Sequence, residues 1–148
     1  MSLESQAQFL LRLVVALVFG AMIGLERRRR GHPAGFRTMA MVCVGSCLFT
    51  LLGEAVTSSN IDPTRIAAQV VTGIGFLGAG LIIRQGRAVI GVTTAASIWV
   101  VAAIGMAAGF GAYLLAAGCT FLVLITLVVL RIVEVRVLSL KAEDSDED

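Results

Sequence analysis

Arg65, Gln69, Thr72 and Phe76 are spaced by four, three and four residues, so on a helix they lie along one face. A guanidinium, a carboxamide and a hydroxyl in one stripe can serve a polar ligand or bond a neighbouring helix. Gly73 and Gly80 adjoin the stripe, and Asp62-Pro63 before it reads as a helix start, with Asp62 at the cap and proline in the first turn. A second set follows in Gly91-Val-Thr93-Thr94-Ala-Ala-Ser97-Ile-Trp99. Thr93 or Thr94 suits an N-cap, and hydroxyls at a helix start can receive an anion or a cation-bound water. They can equally cap the helix and hold a small-residue contact. Trp99 lies deeper than an interfacial belt requires, so its indole N–H is expected to meet a protein partner. A third set is Glu26-Arg27-Arg28-Arg29-Arg30 with Arg37-Thr38. Glu26 can pair with Arg30 at i,i+4 or with Arg37. One carboxylate among five arginines makes a poor cation site, whereas an anionic headgroup or an acidic partner fits such a loop.

These sets do not make an enzyme. There is one histidine, His32, in a Gly-His-Pro loop, and no Ser/His/Asp grouping or paired carboxylate within an apolar run. Catalysis and a cofactor are therefore not expected, and nothing points to nucleic acid. Gly73-Ile-Gly75-Phe-Leu-Gly78 matches a dinucleotide-binding spacing. That spacing has meaning only between a strand and a helix, so inside an apolar run it reads as helix packing. Gly20-Ala-Met-Ile-Gly24 and Gly105-Met-Ala-Ala-Gly109 are two further small-residue spacings. Packing within one chain and packing in a homo-oligomer look alike from them.

The elements that must position these residues are membrane helices. Of 148 residues, 57% are hydrophobic and only 15% charged, with a mean hydropathy of +0.92; a soluble domain of this size carries more charge. Apolar blocks cover about residues 9–25, 38–56, 65–83, 92–108 and 112–130. Gly109-Phe110-Gly111 divides the last two, which would otherwise form one run too long for a single span. The expected fold is an all-α integral membrane protein, a bundle of about five transmembrane helices in the lipid bilayer. Ten of the twelve Lys and Arg fall in the first connection, the third connection and after the fifth block, which five spans place on one side. The positive-inside rule then sets the N-terminus outside and the C-terminus in the cytoplasm. The first block lacks preceding positive charge, so it reads as a retained helix, not a secretory signal. Arg12 is expected to snorkel to the outer interface, with Glu54 or Asp62 as the partners if it stays in the bundle. Cys43, Cys47 and Cys119 read as small apolar residues at helix contacts, not as a disulfide framework. Residues 1–131 form the transmembrane domain in this reading, and 132–148 a cytoplasmic helix extension with an acidic, solvated tail.

Gly24-Leu25-Glu26-Arg27, Gly35-Phe36-Arg37-Thr38, the whole run 62–80 and Gly91 to Trp99 resemble the MgtC/SapB family of bacterial inner-membrane proteins. The resemblance extends over about residues 10–130. It implies a multi-pass protein of the inner membrane linked to adaptation to low magnesium and, in some members, to survival inside host cells. It also implies one of two roles: transport of Mg²⁺ or another small solute, or regulation of a membrane complex such as the proton-driven ATP synthase. Many members carry a cytoplasmic ACT-like domain; this sequence resembles the membrane-only, SapB-like type. Between those roles, the small-residue faces and the scarcity of acidic residues within the spans favour a regulator.

Overall fold

The computed structural model describes residues 3–56, 64–133 and 135–136. Asp62 and the acidic tail lie outside them. Five α-helices follow in chain order: α1 (Leu3–Arg29), α2 (Phe36–Val56), α3 (Thr64–Ala79), α4 (Val92–Gly109) and α5 (Tyr113–Ile125). A π-helical stretch, Thr126–Leu130, continues α5 toward Val133, and a two-stranded antiparallel hairpin, β1 (Ile83–Gln85) with β2 (Ala88–Ile90), separates α3 from α4. The expected all-α membrane architecture therefore stands, with one small hairpin added. Four helices are long and apolar enough to cross a membrane: Leu3–Arg29, Phe36–Ala55, Val92–Gly109 and Tyr113–Val133.

The third block departs from expectation. Its helix has 16 residues and ends at Ala79, not at Ile83. At 1.5 Å per residue it reaches about 24 Å, short of a bilayer core of about 30 Å. The chain turns at Gly80, where Leu81 and Ile82 N–H donate to Gly78 and Ala79 carbonyls, and then enters the hairpin. Gly91 explains why α4 can start so soon afterwards. Its φ of +89° is left-handed, and a Cβ there would run into the Leu81 carbonyl.

Helix α2 is the centre. Met39, Cys43, Cys47 and Leu51 recur every four residues and are all buried, which is one face of a helix turned fully inward. Glycines let α1 and α4 close on it. A Cβ on Gly24 would lie 2.7 Å from Phe36 Cα, and one on Gly20 would lie 2.6 Å from Cys43 Cβ. From the other flank, a Cβ on Gly109 would lie 2.7 Å from Thr50 Cβ, and one on Gly105 would strike the Cys43 carbonyl. Both glycine spacings thus serve contacts inside the chain, where close backbones gain dispersion energy that lipid cannot supply. The cysteines are free and two of them sit at these contacts, as read from sequence. Helix α5 leans on the bundle through Ala116 and Thr120, after a turn closed by Gly111 at φ +75°.

Arg12 is tied down instead of snorkelling. Its Nη1 donates to Glu54 Oε2 at 2.8 Å and to the Gly109 carbonyl at 2.7 Å, joining the ends of α1, α2 and α4. A guanidinium within an apolar helix is costly, and a carboxylate with a helix-terminal carbonyl answers that cost locally.

Candidate functional site

Two ends of the bundle carry polar groups. One is the Arg12–Glu54 end just described. At the other, Arg27 is 3% exposed, which corrects its placement in a solvated loop: it belongs to the last turn of α1. Its Nη2 donates to Thr94 Oγ1 at 2.7 Å, linking α1 to the first turn of α4. The Nε of Arg27 has no acceptor among the described residues. Thr94 is therefore a side-chain acceptor for α1, not the cap of its own helix, whose N-cap is Gly91 without any side-chain bond. Ser97 Oγ donates back to the Thr93 carbonyl at 2.7 Å, so the hydroxyls of Thr94 and Ser97 are engaged within the chain, while Thr93 is exposed. Trp99 is 53% exposed and its indole nitrogen has no partner among the described residues, contrary to the expected internal contact. Glu26 pairs with Arg30, as the i,i+4 spacing predicts, and not with Arg37. Arg37 and Thr38 are exposed in the first turn of α2, and Arg37 has no ion pair among the described residues.

The stripe on α3 is assembled as the spacing predicts, but it points the other way. Ile74 and Gly78 are the buried positions of this helix. At 100° per residue they lie about opposite Arg65, Gln69, Thr72 and Phe76. All four of those residues are exposed, Phe76 to 81%. Thr72 Oγ1 returns to its own Ala68 carbonyl at 3.2 Å. The expected polar pocket within the bundle is therefore not formed by Arg65 and Thr72. Of the α3 glycines, Gly78 packs on Ala95, at 3.6 Å from its Cβ position; Gly73 and Gly75 would meet nothing within 4 Å, and Gly80 faces only carbonyls of its own helix. Among the described residues, most of this glycine run packs against nothing outside its own helix.

A groove of about 660 Å³ does lie between α2 and α3. Gln69, Val70 and Gly73 form part of its α3 wall, and Met41, Gly45 and Phe49 part of its α2 wall, with Arg37 and Thr38 at the basic end. Reading the sequence singled out Gln69, Gly73, Arg37 and Thr38 but missed the α2 wall. Gly45, which meets nothing within 4 Å, was the available signal.

Comparison with known proteins turns this geometry into a family assignment. The MgtC family model matches residues 13–136, which takes in the bundle except the first ten residues of α1. The chain belongs to the MgtC family. Among its relatives, the putative magnesium transporter YhiD of Escherichia coli K12 is 46% identical over 114 residues, covering 72% of this chain and 53% of the relative. Protein MgtC of Salmonella typhimurium LT2 is 45% identical over 123 residues, covering 83% of this chain and 52% of the relative. A Synechocystis protein of uncharacterized function is 43% identical over 122 residues, covering 82% of this chain and 52% of the relative. The chain thus spans about half the length of the curated relatives it matches. No solved structure matches it. Membership of the MgtC family, with four helices long and apolar enough to cross a membrane, makes this a multi-pass membrane protein.

Proposed function

We propose that this MgtC-family chain is a non-enzymatic protein of the bacterial inner membrane that serves adaptation to low magnesium by binding a larger membrane complex through α3. The observation that carries this reading is the outward polar stripe. Arg65, Gln69 and Thr72 are exposed on the side of α3 away from its own bundle, beside the open backbone of Gly73 and Gly75. A carboxamide turned toward hydrocarbon is unfavourable, and a partner helix that bonds Gln69 while closing on the glycines removes that cost. The basic end, which holds Arg27 to Arg30, Arg37, Arg84 and Arg87, faces the cytoplasm in this reading.

Transport of Mg²⁺ is the second reading, favoured by the printed name of the Escherichia coli relative. The carboxylates argue for the first. Glu54 is paired with Arg12 and Glu26 with Arg30, so each carboxylate already faces a cation with which a hard cation would have to compete. Gln69→Leu and Arg65→Ala should each impair growth at limiting Mg²⁺ while the purified protein keeps its stability to within about 0.5 kcal/mol. Normal growth of both variants would defeat the α3 reading. Purified chain in liposomes should move no Mg²⁺ above empty vesicles, and a flux above that control would establish transport instead.

A further inference from the structure

The groove between α2 and α3 has the dimensions of a seat for a lipid chain. On α2 it runs from Arg37 to Phe49 and on α3 from Ile66 to Leu77, which at 1.5 Å per residue are about 18 and 16 Å. Half of a bilayer core is about 15 Å. The groove therefore reaches about one leaflet deep from the basic end of the bundle. Its volume of about 660 Å³ is lined mainly by apolar side chains, so over that length it can take a slender apolar chain. The hollow exists because Gly45 and Gly73 contribute no side chain to its two walls, and a Cβ at either would meet nothing within 4 Å.

The mouth supplies the other half of the recognition. Arg37 and Thr38 are exposed there, and Arg37 has no ion pair among the described residues. Arginine at the headgroup level of a membrane favours phosphate and anionic lipid. We propose that the groove binds one anionic phospholipid from the leaflet at the basic end, with an acyl chain between Gly45 and Gly73 and its phosphate on Arg37. Gln69 lines the half remote from Arg37 and belongs also to the outward stripe. The lipid site does not depend on the regulatory reading, because its phosphate contact, Arg37, and its α2 wall lie outside the stripe, although Gln69 and Gly73 adjoin both.

The test is native mass spectrometry of the purified full chain in detergent with added phosphatidylglycerol or phosphatidylcholine. The wild type should retain one phosphatidylglycerol in preference to phosphatidylcholine. Arg37→Gln should lower phosphatidylglycerol retention about fivefold, the size expected for one arginine at an anionic surface, and leave phosphatidylcholine unchanged. Gly73→Leu and Gly45→Leu fill the hollow from opposite walls and should each cut retention of either lipid at least tenfold, with helicity by circular dichroism preserved. Undiminished retention in both filled variants overturns the proposal, as does loss of headgroup preference in the wild type. A wild-type dimer that Gly73→Leu converts to monomer, with lipid retention unchanged, would assign the groove to a second copy and also overturn it.

Discussion

Replacing Gly105 with alanine tests whether backbone contact between α2 and α4 sets the architecture. A Cβ built on Gly105 would strike the Cys43 carbonyl oxygen, lie 2.9 Å from its carbon and 3.1 Å from its Cα. These obstacles are backbone, so no rotamer change relieves them, and the two helices must part by several tenths of an ångström. Four residues on, Gly109 rests on Thr50 and on the Cys47 carbonyl, so the separation spreads along the seam. A gap of 0.5–1 Å forfeits about a quarter to a half of each dispersion contact. Overpacking of this kind costs about 1–3 kcal/mol, against which alanine recovers up to about 1 kcal/mol of helix propensity. The net expectation is a loss of about 1–2 kcal/mol. Gly73→Ala is the matched control, because the same methyl there meets nothing within 4 Å and should be neutral or stabilise by up to about 1 kcal/mol. Unfolding in detergent, followed by circular dichroism, measures both. Equal stabilities for Gly105→Ala and Gly73→Ala would refute the packing argument.

Two further pairs of substitutions probe the polar ties at the bundle ends by the same unfolding measurement. Thr94→Val removes the acceptor of the buried Arg27 guanidinium and should cost about 1–3 kcal/mol, more than Arg27→Met, because stranding a buried cation costs more than stranding a neutral hydroxyl; the reverse order would show that Arg27 does not depend on Thr94. Arg12→Gln loses contacts to Glu54 and to the Gly109 carbonyl together and should cost about 1–3 kcal/mol, whereas Glu54→Gln, at a carboxylate whose side chain is 48% exposed, should cost less than about 1 kcal/mol. Equal losses would place the whole effect in the ion pair and none in the carbonyl.

Much of the bundle could be read from composition, because an apolar run near 20 residues between basic clusters has few other physical solutions. The turn at Gly109-Phe110-Gly111, the i,i+4 pairing of Glu26 with Arg30 and the role of the cysteines are all local consequences of spacing. What spacing does not contain is direction. Arg65, Gln69, Thr72 and Phe76 share a face in any helix, but only the burial of Ile74 and Gly78 shows that the face looks outward. The end of α3 was misplaced for a related reason: Leu81 to Ile83 are apolar enough to continue a helix, and tertiary closure of the hairpin against Gly91 overrides that preference. Arg27 was the most recoverable miss. Ala16, Gly20, Ile23 and Arg27 step by four, three and four along one buried stripe, so the glycine spacing already pointed the arginine into the bundle.

The arrangement of contacts fits the proposal that α3 meets a partner. Helix α2 has its inward face closed on both flanks, by Gly20 and Gly24 of α1 and by Gly105 and Gly109 of α4. Arg12 then locks the ends of these three helices together, and Arg27 ties α1 to α4 at the other end. Helix α3 has only Ile74 and Gly78 buried, and the groove separates it from much of α2. An element with few buried contacts sits at the low end of the local stability range. A short helix with an outward carboxamide, open glycines and little internal packing has much to gain from an external contact. In the proposed reading the polar residues on α3 are thus not at odds with its membrane setting: they mark the surface that a partner would cover.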